Sequence, residues 1–489
     1  MKKDVIMQGT IITTRKGIGY IRNPEDAEKD IIVEIGNLNT ALNGDIVEVK
    51  LGKTNSFKQQ TAEVTRVIKR ARDSFVCIVD SREGVLTAYP DDKKAYASIR
   101  LSKEDQTKVS IGDKVYVKMR EWTDPKVNPE GDIIRILGRK GNNNVEMESI
   151  VLEKGFEINF PPAVEAEADT IEKNKNIDIS NEIPKRVDFR KTLTFTIDPF
   201  DAKDFDDAIS FKEVGNGKYE IGVHIADVSH YVAVGSELDK EALKRGCSIY
   251  LVDRTIPMLP EVLSNDVCSL NPHEDKLTFS AWFVLDENGD VLERHFGKTI
   301  INSDHRFTYE DAQEVLNVKS GMYFKELNKL NEIAKILQKQ KYDNGAIEFE
   351  QEEIKFKLDE NGKPIGVYKK ERLDTHKLVE EYMLLANREV AKFIFDAIKS
   401  KGKRDTGSLY RIHDLPDQER MADLAVFVKA LGYDLKTKDG KVTARDIKSL
   451  LNQIQGTQHE ALISTALIRS MQKAVYSTKN IGHFGLAFE

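Results

Sequence analysis

The sequence predicts a multidomain protein in which two small all-β barrels precede an α+β domain, and three observations carry that reading. Residues 5 to about 140 are short alternating runs, GTIITT, GIGYI, DIIVEI and DIVEVKL, separated by Gly, Asn and Asp turns. Within them, NGDIVEVKL at 43–51 is echoed by IGDKVYVKM at 111–119, with Gly44-Asp45 matching Gly112-Asp113. Two tandem barrels explain such an echo better than one large sheet. From Val187 onward, strand patterns such as TLTFTI and YEIGVHIADV give way to long helical ones. The expected divisions are 1–58 and 59–140 for the barrels, 141–186 for a linker and 187–489 for the α+β domain.

Each element has a local reason. The linker is marked by GNNNVE, by the Pro161-Pro162 pair and by the charged run after it, with room for a helix or two. Helices are expected at 323–342 and 375–399. In the second, Leu378, Tyr382, Leu385 and Ala386 recur at helical spacing, and Val390, Phe393, Ile394 and Ala397 continue the stripe. A further pair, 414–431 and 459–477, is joined through Gly432. The chain stops at NIGHFGLAFE, an apolar run without a polar tail, which reads as a fragment of a longer product.

Composition narrows the function classes. With 489 residues, 40% hydrophobic and 32% charged, the chain is ordinary globular material with ample core. No run approaches the roughly 18 apolar residues of a membrane span, and the start lacks a signal-peptide h-region. Cys77, Cys247 and Cys268 form no CxxC pair, which favours buried thiols in a reducing cytoplasm. Net charge is −7, but residues 1–140 carry 26 Lys+Arg against 21 Asp+Glu, so the positive surplus is concentrated in the barrels. That distribution keeps a nucleic-acid partner open.

The chemistry is concentrated in IDPFDAKDFDDAISF, residues 197–211, where five of fifteen residues are aspartates. The strand before it puts Leu193, Phe195 and Ile197 on one face and Thr194, Thr196 and Asp198 on the other, and Pro199 ends the ladder. Carboxylates crowded between two strand ends raise one another's pKa unless a cation compensates them. An EF-hand fails, because Asp206 and Lys212 stand where positions 6 and 12 need Gly and Glu. A hard cation such as magnesium fits, with shared aspartates serving phosphodiester chemistry. On spacing alone, a solvated Asp-rich turn stays in competition.

Longer motifs sharpen the choice. The run TIDPFDAKDFDDAISF, then GVHIADVSHYV, YLVDRTIPMLPEVLSNDVCSLNP, HKLVEEYMLLAN and GHFGLAFE, closely resembles the catalytic (RNB) domain of the ribonuclease II / ribonuclease R family over residues 187–489. The barrels before it resemble that family's OB-fold cold-shock domains. The resemblance implies a Mg2+-dependent hydrolase that degrades single-stranded RNA from its 3′ end and releases nucleoside 5′-monophosphates. By motif, Asp198, Asp204, Asp206 and Asp207 are implied as catalytic and metal-binding aspartates. Asp198 and Asp207 are best placed as ligands, and Asp206 is the one whose loss abolishes cleavage with least effect on RNA binding. Asp201 lies outside the quartet.

The same resemblance implies RNA contacts. Tyr250 matches a tyrosine that packs beside the terminal nucleotide, its plain alternative being a core strand tyrosine. Tyr309 and Phe349 match aromatics that clamp and stack on RNA, with core packing as the alternative. Glu380 or Glu381 is implied as a ribose contact, with a solvated helix glutamate as the alternative. In RKGIGYIR, Lys16, Tyr20 and Arg22 are placed to meet phosphate and base, although Ile18 stands where the family often has an aromatic. His224 and His230 are expected to hydrogen-bond or pack rather than bind metal. The family carries a threonine-serine-proline-isoleucine-arginine segment and a further barrel beyond GHFGLAFE, both absent from this chain. The expectation is a monomeric, cytoplasmic RNA exonuclease. The alternatives are a nonenzymatic RNA-binding regulator with an inactive nuclease domain, and a magnesium-dependent DNA nuclease or phosphatase.

Overall fold

A computed structural model describes residues 5–23, 29–55, 59–82, 84–347, 353–400, 408–436 and 442–488. The chain divides into two compact units. The first holds residues 1–161 with two short excursions, Ser248–Ile256 and Leu358–Pro364, and the second holds the remainder.

In the first unit, β1 (Ile6–Thr13), β2 (Gly19–Ile21), β3 (Ile31–Val33), β4 (Ile46–Thr54) and β5 (Gln60–Lys69) close into a barrel in the order β1-β2-β3-β5-β4. Alternate residues turn inward, and Ile11, Ile21, Ile31, Val33, Leu38, Val47, Val49 and Val64 form its core. Gly19 permits the closure, since a Cβ there would lie 2.7 Å from Ile11 Cδ1 and 2.9 Å from Leu38 Cδ2. The second barrel contains β6 (Ser74–Arg82), β7 (Val85–Pro90), β8 (Ile99–Leu101), β9 (Asp113–Met119) and β10 (Glu130–Arg139), ordered β10-β8-β7-β6-β9. A short helix, α1 (Lys103–Gln106), is capped by the Ser102 hydroxyl.

The sequence echo is one turn built twice. The Asp45 carboxylate accepts the Leu42 N–H at 2.8 Å, and the Asp113 carboxylate accepts the Ser110 N–H at 2.8 Å. Gly44 and Gly112, at φ +88° and +87°, carry the chain through the left-handed position that leads into β4 and β9. The expected boundary at 58/59 falls one strand early, because β5 closes the first barrel and runs to Lys69. Residues 141–186 are mainly helical. α2 (Asn143–Glu153), capped by Asn142, belongs to the first unit, and α3 (Pro162–Glu182) opens the second with proline at its first position.

The second unit is built on a seven-stranded mixed sheet. Its strands are β11 (Val187–Asp188), β12 (Thr194–Asp198), β13 (Asp207–Gly215), β14 (Lys218–Ala226), β17 (Asp275–Leu285), β18 (Val291–Asn302) and β19 (His305–Thr308), in the order β11-β18-β17-β14-β13-β12-β19. β15 (Ile249–Tyr250) and β16 (Thr255–Ile256) form a separate ribbon in an excursion of the first unit. After the short helices α4 (Val228–Tyr231) and α5 (Glu237–Arg245), the helices α6 (Tyr309–Val318), α7 (Phe324–Asp343) and α8 (Asp374–Ser400) cover one face. There Phe195, Ile197, Ile209, Phe211, Ile221 and Phe283 pack against Leu316, Leu327, Leu330, Leu378 and Tyr382. β12 is buried along its whole length, so its threonine side is covered as well.

The sheet's other face is polar but closed. His224 is fully buried between Ser280 Oγ, 2.7 Å from Nδ1, and Ser210 Oγ, 2.8 Å from Nε2. Ser280 and Thr278 each meet Thr299 at 2.5 Å. Burial drives the imidazole pKa down to about 3, so it stays neutral and serves as a hydrogen-bonding core residue. Beyond α8, three helices form a separate cluster: α9 (Gln418–Ala430), α10 (Ala444–Ile454) and α11 (Glu460–Ser470). The expected pair missed α10, whose eleven residues are bounded by a Thr443–Asp446 capping box.

Candidate active site

The acidic residues collect at one edge of the second unit's sheet because of its register. Asp198 ends β12, and its antiparallel neighbour β13 begins at Asp207. β19 runs parallel to β12 with Thr308 opposite Asp198, so α6 and Tyr309 start at the same edge. The loop between them is held by backbone bonds. Phe205 N–H donates to Ser269 Oγ at 3.0 Å, and its carbonyl accepts from Leu270 N–H at 2.8 Å. The Asp206 carbonyl accepts from Ala226 N–H at 3.0 Å. On the other flank, Arg306 Nη2 donates to the Pro199 and Phe200 carbonyls at 2.7 and 3.0 Å. Its guanidinium also lies 5.3 Å from the centre of the Phe205 ring.

This mount produces unusual electrostatics. Asp198 is 8% exposed, and its Oδ2 is buried without a hydrogen-bond partner. Burial, with repulsion from Asp207 and Asp204, pushes its carboxyl up to about 7 against the pull of Thr196 and Arg306. Burial and the Asp206 charge push Asp207 up to about 6, while burial and Asp204 raise Asp206. Such a cluster is short of positive charge. Among the described residues, no three His, Cys, Asp or Glu side chains come together as a complete cage for a metal ion. Magnesium does not require one, since it is commonly held by one or two carboxylates with waters and substrate phosphate completing the shell. The unsatisfied Asp198 oxygen and the mutually raised carboxyls therefore fit a hard cation. A freely solvated turn does not fit Asp198, which is buried, although Asp204 and Asp207 are half-buried and Asp206 is exposed.

The remaining candidates are distributed unevenly. Tyr309 is half-buried, and its ring stacks on His376 with centroids 3.8 Å apart and planes 9° off parallel. Burial, with the nearby charges of Asp207 and Asp198, lifts its hydroxyl to about 12. Thr375 Oγ1 donates to the Tyr309 carbonyl at 2.9 Å, and Leu373 N–H donates to His376 Nδ1 at 3.2 Å. On α8, Glu381 is buried in an ion pair with Lys341, whereas Glu380 is half-buried and paired with Arg372. Phe349 lies outside the described residues.

Tyr250 belongs to the first unit and is 71% exposed, which removes its reading as a core tyrosine. Lys16 sits exposed in the β1–β2 turn and Arg22 just after β2, while Tyr20 is half-buried on β2 between Ile12 and Ile32. Sequence reasoning missed Arg306, Ser269 and His376. An arginine flanked by His305 and Phe307 in a strand was the available signal for the first. A serine and a histidine inside otherwise legible motifs gave none beyond their position.

Comparison with known proteins extends over the whole chain. Residues 186–489 match the RNB domain, 89–161 the cold shock domain and 9–67 the ribonuclease B OB domain. Ribonuclease R of Aquifex aeolicus is 32% identical over 490 residues, covering 99% of this chain and 67% of the relative. Ribonuclease R of Thermotoga maritima is 35% identical over 488 residues, covering 98% and 67%. The chain thus spans about two thirds of these relatives. Among solved structures, Mycoplasma genitalium RNase R in complex with ribose methylated single-stranded RNA superposes with a TM-score of 0.87. It is 26% identical, with 99% of this chain and 75% of that one covered.

Proposed function

From the premise that the chain belongs to the ribonuclease R family of RNB-domain exoribonucleases, we propose that it takes single-stranded RNA by the 3′ end and releases nucleoside 5′-monophosphates, with Mg2+ as its cofactor. The observation that carries this reading is the crowded carboxylate set where β12 ends and β13 begins, centred on a buried Asp198 with an unpartnered oxygen. Asp198 and Asp207 hold the metal, with Asp204 and Asp206 beside them. The bound cation supplies Lewis-acid stabilisation of the phosphodiester and lowers the pKa of a water. The protein supplies position: Arg306 and Ser269 fix the loop from its two flanks.

Tyr309 offers a ring face for the substrate beside the carboxylates, backed by His376. Stacking of this kind tolerates any base, as a nonspecific exonuclease requires. Glu380 and Glu381 stand one turn beyond His376 on α8, and a ribose-hydroxyl contact from this pair would separate RNA from DNA. Tyr250 sets the end-product length, Phe349 adds a second stacking ring, and Lys16, Tyr20 and Arg22 guide the strand. All four aspartates are present, which disfavours an inactive RNA-binding regulator. No described helix is long and apolar enough to cross a membrane. We take the protein to act as a cytoplasmic monomer.

Labelled single-stranded RNA and DNA, incubated with magnesium and either wild type or Asp206→Asn, provide the test. Monophosphate release from RNA alone, lost in the variant, is the expected result. RNA binding without cleavage by the wild type would overturn the enzymatic reading.

A further inference from the structure

We infer that Arg306 is the positioning residue that sets the acidic loop for metal binding, and that it acts through its grip on the loop backbone rather than through its charge. The inference rests on the metal-dependent reading above. Arg306 stands on β19 opposite Thr196, two residues before Asp198 along the neighbouring strand. Its Nη2 donates to two consecutive carbonyls, Pro199 at 2.7 Å and Phe200 at 3.0 Å. Its guanidinium carbon lies 5.3 Å from the centre of the ring of Phe205, the residue that precedes Asp206 in the chain. One side chain therefore holds the segment immediately after Asp198 and contacts the segment immediately before Asp206.

Two features separate this from an ordinary ion pair. Arg306 donates no hydrogen bond to any described carboxylate, and its Nε is buried without a partner, so its defined bonds go to the loop's backbone. The loop also has little else to fix its first half. Ala202 N–H to the Pro199 carbonyl, at 3.1 Å, is a turn internal to the loop, while Ser269 and Leu270 secure only Phe205. Phe200 is 81% exposed and adds no packing anchor. Without Arg306, no hydrogen bond from another described residue outside the loop holds the chain between Pro199 and Asp204.

Charge and geometry make opposite forecasts. A fixed positive charge beside a cation site repels the cation, so at a pH high enough for Asp198 to be ionised without its help, removing it should tighten metal binding if charge were all that mattered. Losing the partner that orients a ligand-bearing segment should weaken it, by about 10- to 100-fold for groups of this kind. The expected outcome for Arg306→Ala is metal binding about tenfold or more weaker, with Arg306→Lys between the two. Lysine keeps the charge and a donor but has no planar group to lie on Phe205.

The experiment titrates Mn2+ and Mg2+ into the RNA-free chain calorimetrically, and measures amide exchange at residues 200–206 without metal. Weaker binding with faster exchange confined to that segment, at an unchanged melting temperature, supports the inference. Equal or tighter metal binding by Arg306→Ala overturns it, as does unchanged exchange in the loop. If the alanine variant fails to fold, Arg306→Lys and Arg306→Gln carry the same measurements. A wild type that binds no metal defeats the functional reading instead. In that case the exchange comparison still decides whether Arg306 holds the loop.

Discussion

Asparagine at position 198 should stabilise the metal-free protein, and the gain should grow with pH. In the folded chain the Asp198 carboxyl is pushed up to about 7 and Asp207 to about 6, against an ordinary value of 3.8. Between roughly pH 4 and 7 the folded state thus retains protons that the unfolded chain has released, so stability falls as pH rises through this window. A climb from 3.8 to about 7 corresponds to roughly 4 kcal/mol at 1.36 kcal/mol per unit. Repulsion from Asp207 is part of that climb, so the figure is a ceiling for Asp198 alone.

Asp198→Asn has no charge to bury. Its advantage over wild type should be small near pH 4.5 and near its maximum by pH 8, a melting-temperature gain of up to roughly 8 °C at about 2 °C per kcal/mol. Comparing variant with wild type cancels the histidines, whose depressed values act with the opposite sign. The assay is a thermal melt series in EDTA from pH 4.5 to 8, repeated with millimolar Mg2+. Magnesium should raise the wild-type melting temperature at pH 8 and leave the variant nearly unmoved. A pH-independent offset between the two proteins would refute the argument.

Three further outcomes follow from the same geometry. Asp206→Asn should lower RNA cleavage by at least about 10²-fold while RNA affinity stays within about twofold, as read by product release and filter binding. His376→Ala removes the ring behind Tyr309 and should weaken RNA binding by roughly 3- to 10-fold, the worth of one aromatic pair, with His376→Phe recovering most of the loss. Equal defects in both variants would show that the imidazole does something other than stack. Ser269→Ala leaves the part-buried Phe205 N–H without its acceptor and should cost about 1 kcal/mol in chemical unfolding, with faster exchange at that amide.

What could be read from the chain beforehand was what lies close together in it. The Gly44-Asp45 and Gly112-Asp113 echo announced two equivalent turns because each is closed by its own aspartate three residues on. The four aspartates were legible because one short loop carries them. The barrel boundary was misplaced because closing strand β5 follows residues 56–58 with no composition shift to mark it as the fifth strand. Arg306, Ser269 and His376 stayed hidden for a different reason. Each acts on a residue far away in sequence, and only the folded chain brings Arg306 beside Pro199 or Ser269 beside Phe205. A glutamate's accessibility is equally illegible, since Glu380 and Glu381 are neighbours and only one is buried against Lys341.

The parallel pairing of β12 with β19 also sets a timetable. The Thr194 N–H finds its acceptor on Asp304, 110 residues later, and Asp198 meets Thr308 by the same long closure. A chain growing at about 5–20 residues per second carries its aspartates for roughly 5 to 20 seconds before Arg306 and Tyr309 exist to seat them. Contacts of such span are also the slowest to form once the chain is free. The edge that brings Asp198 beside Thr308 and Tyr309 therefore cannot close until the chain has been made through β19.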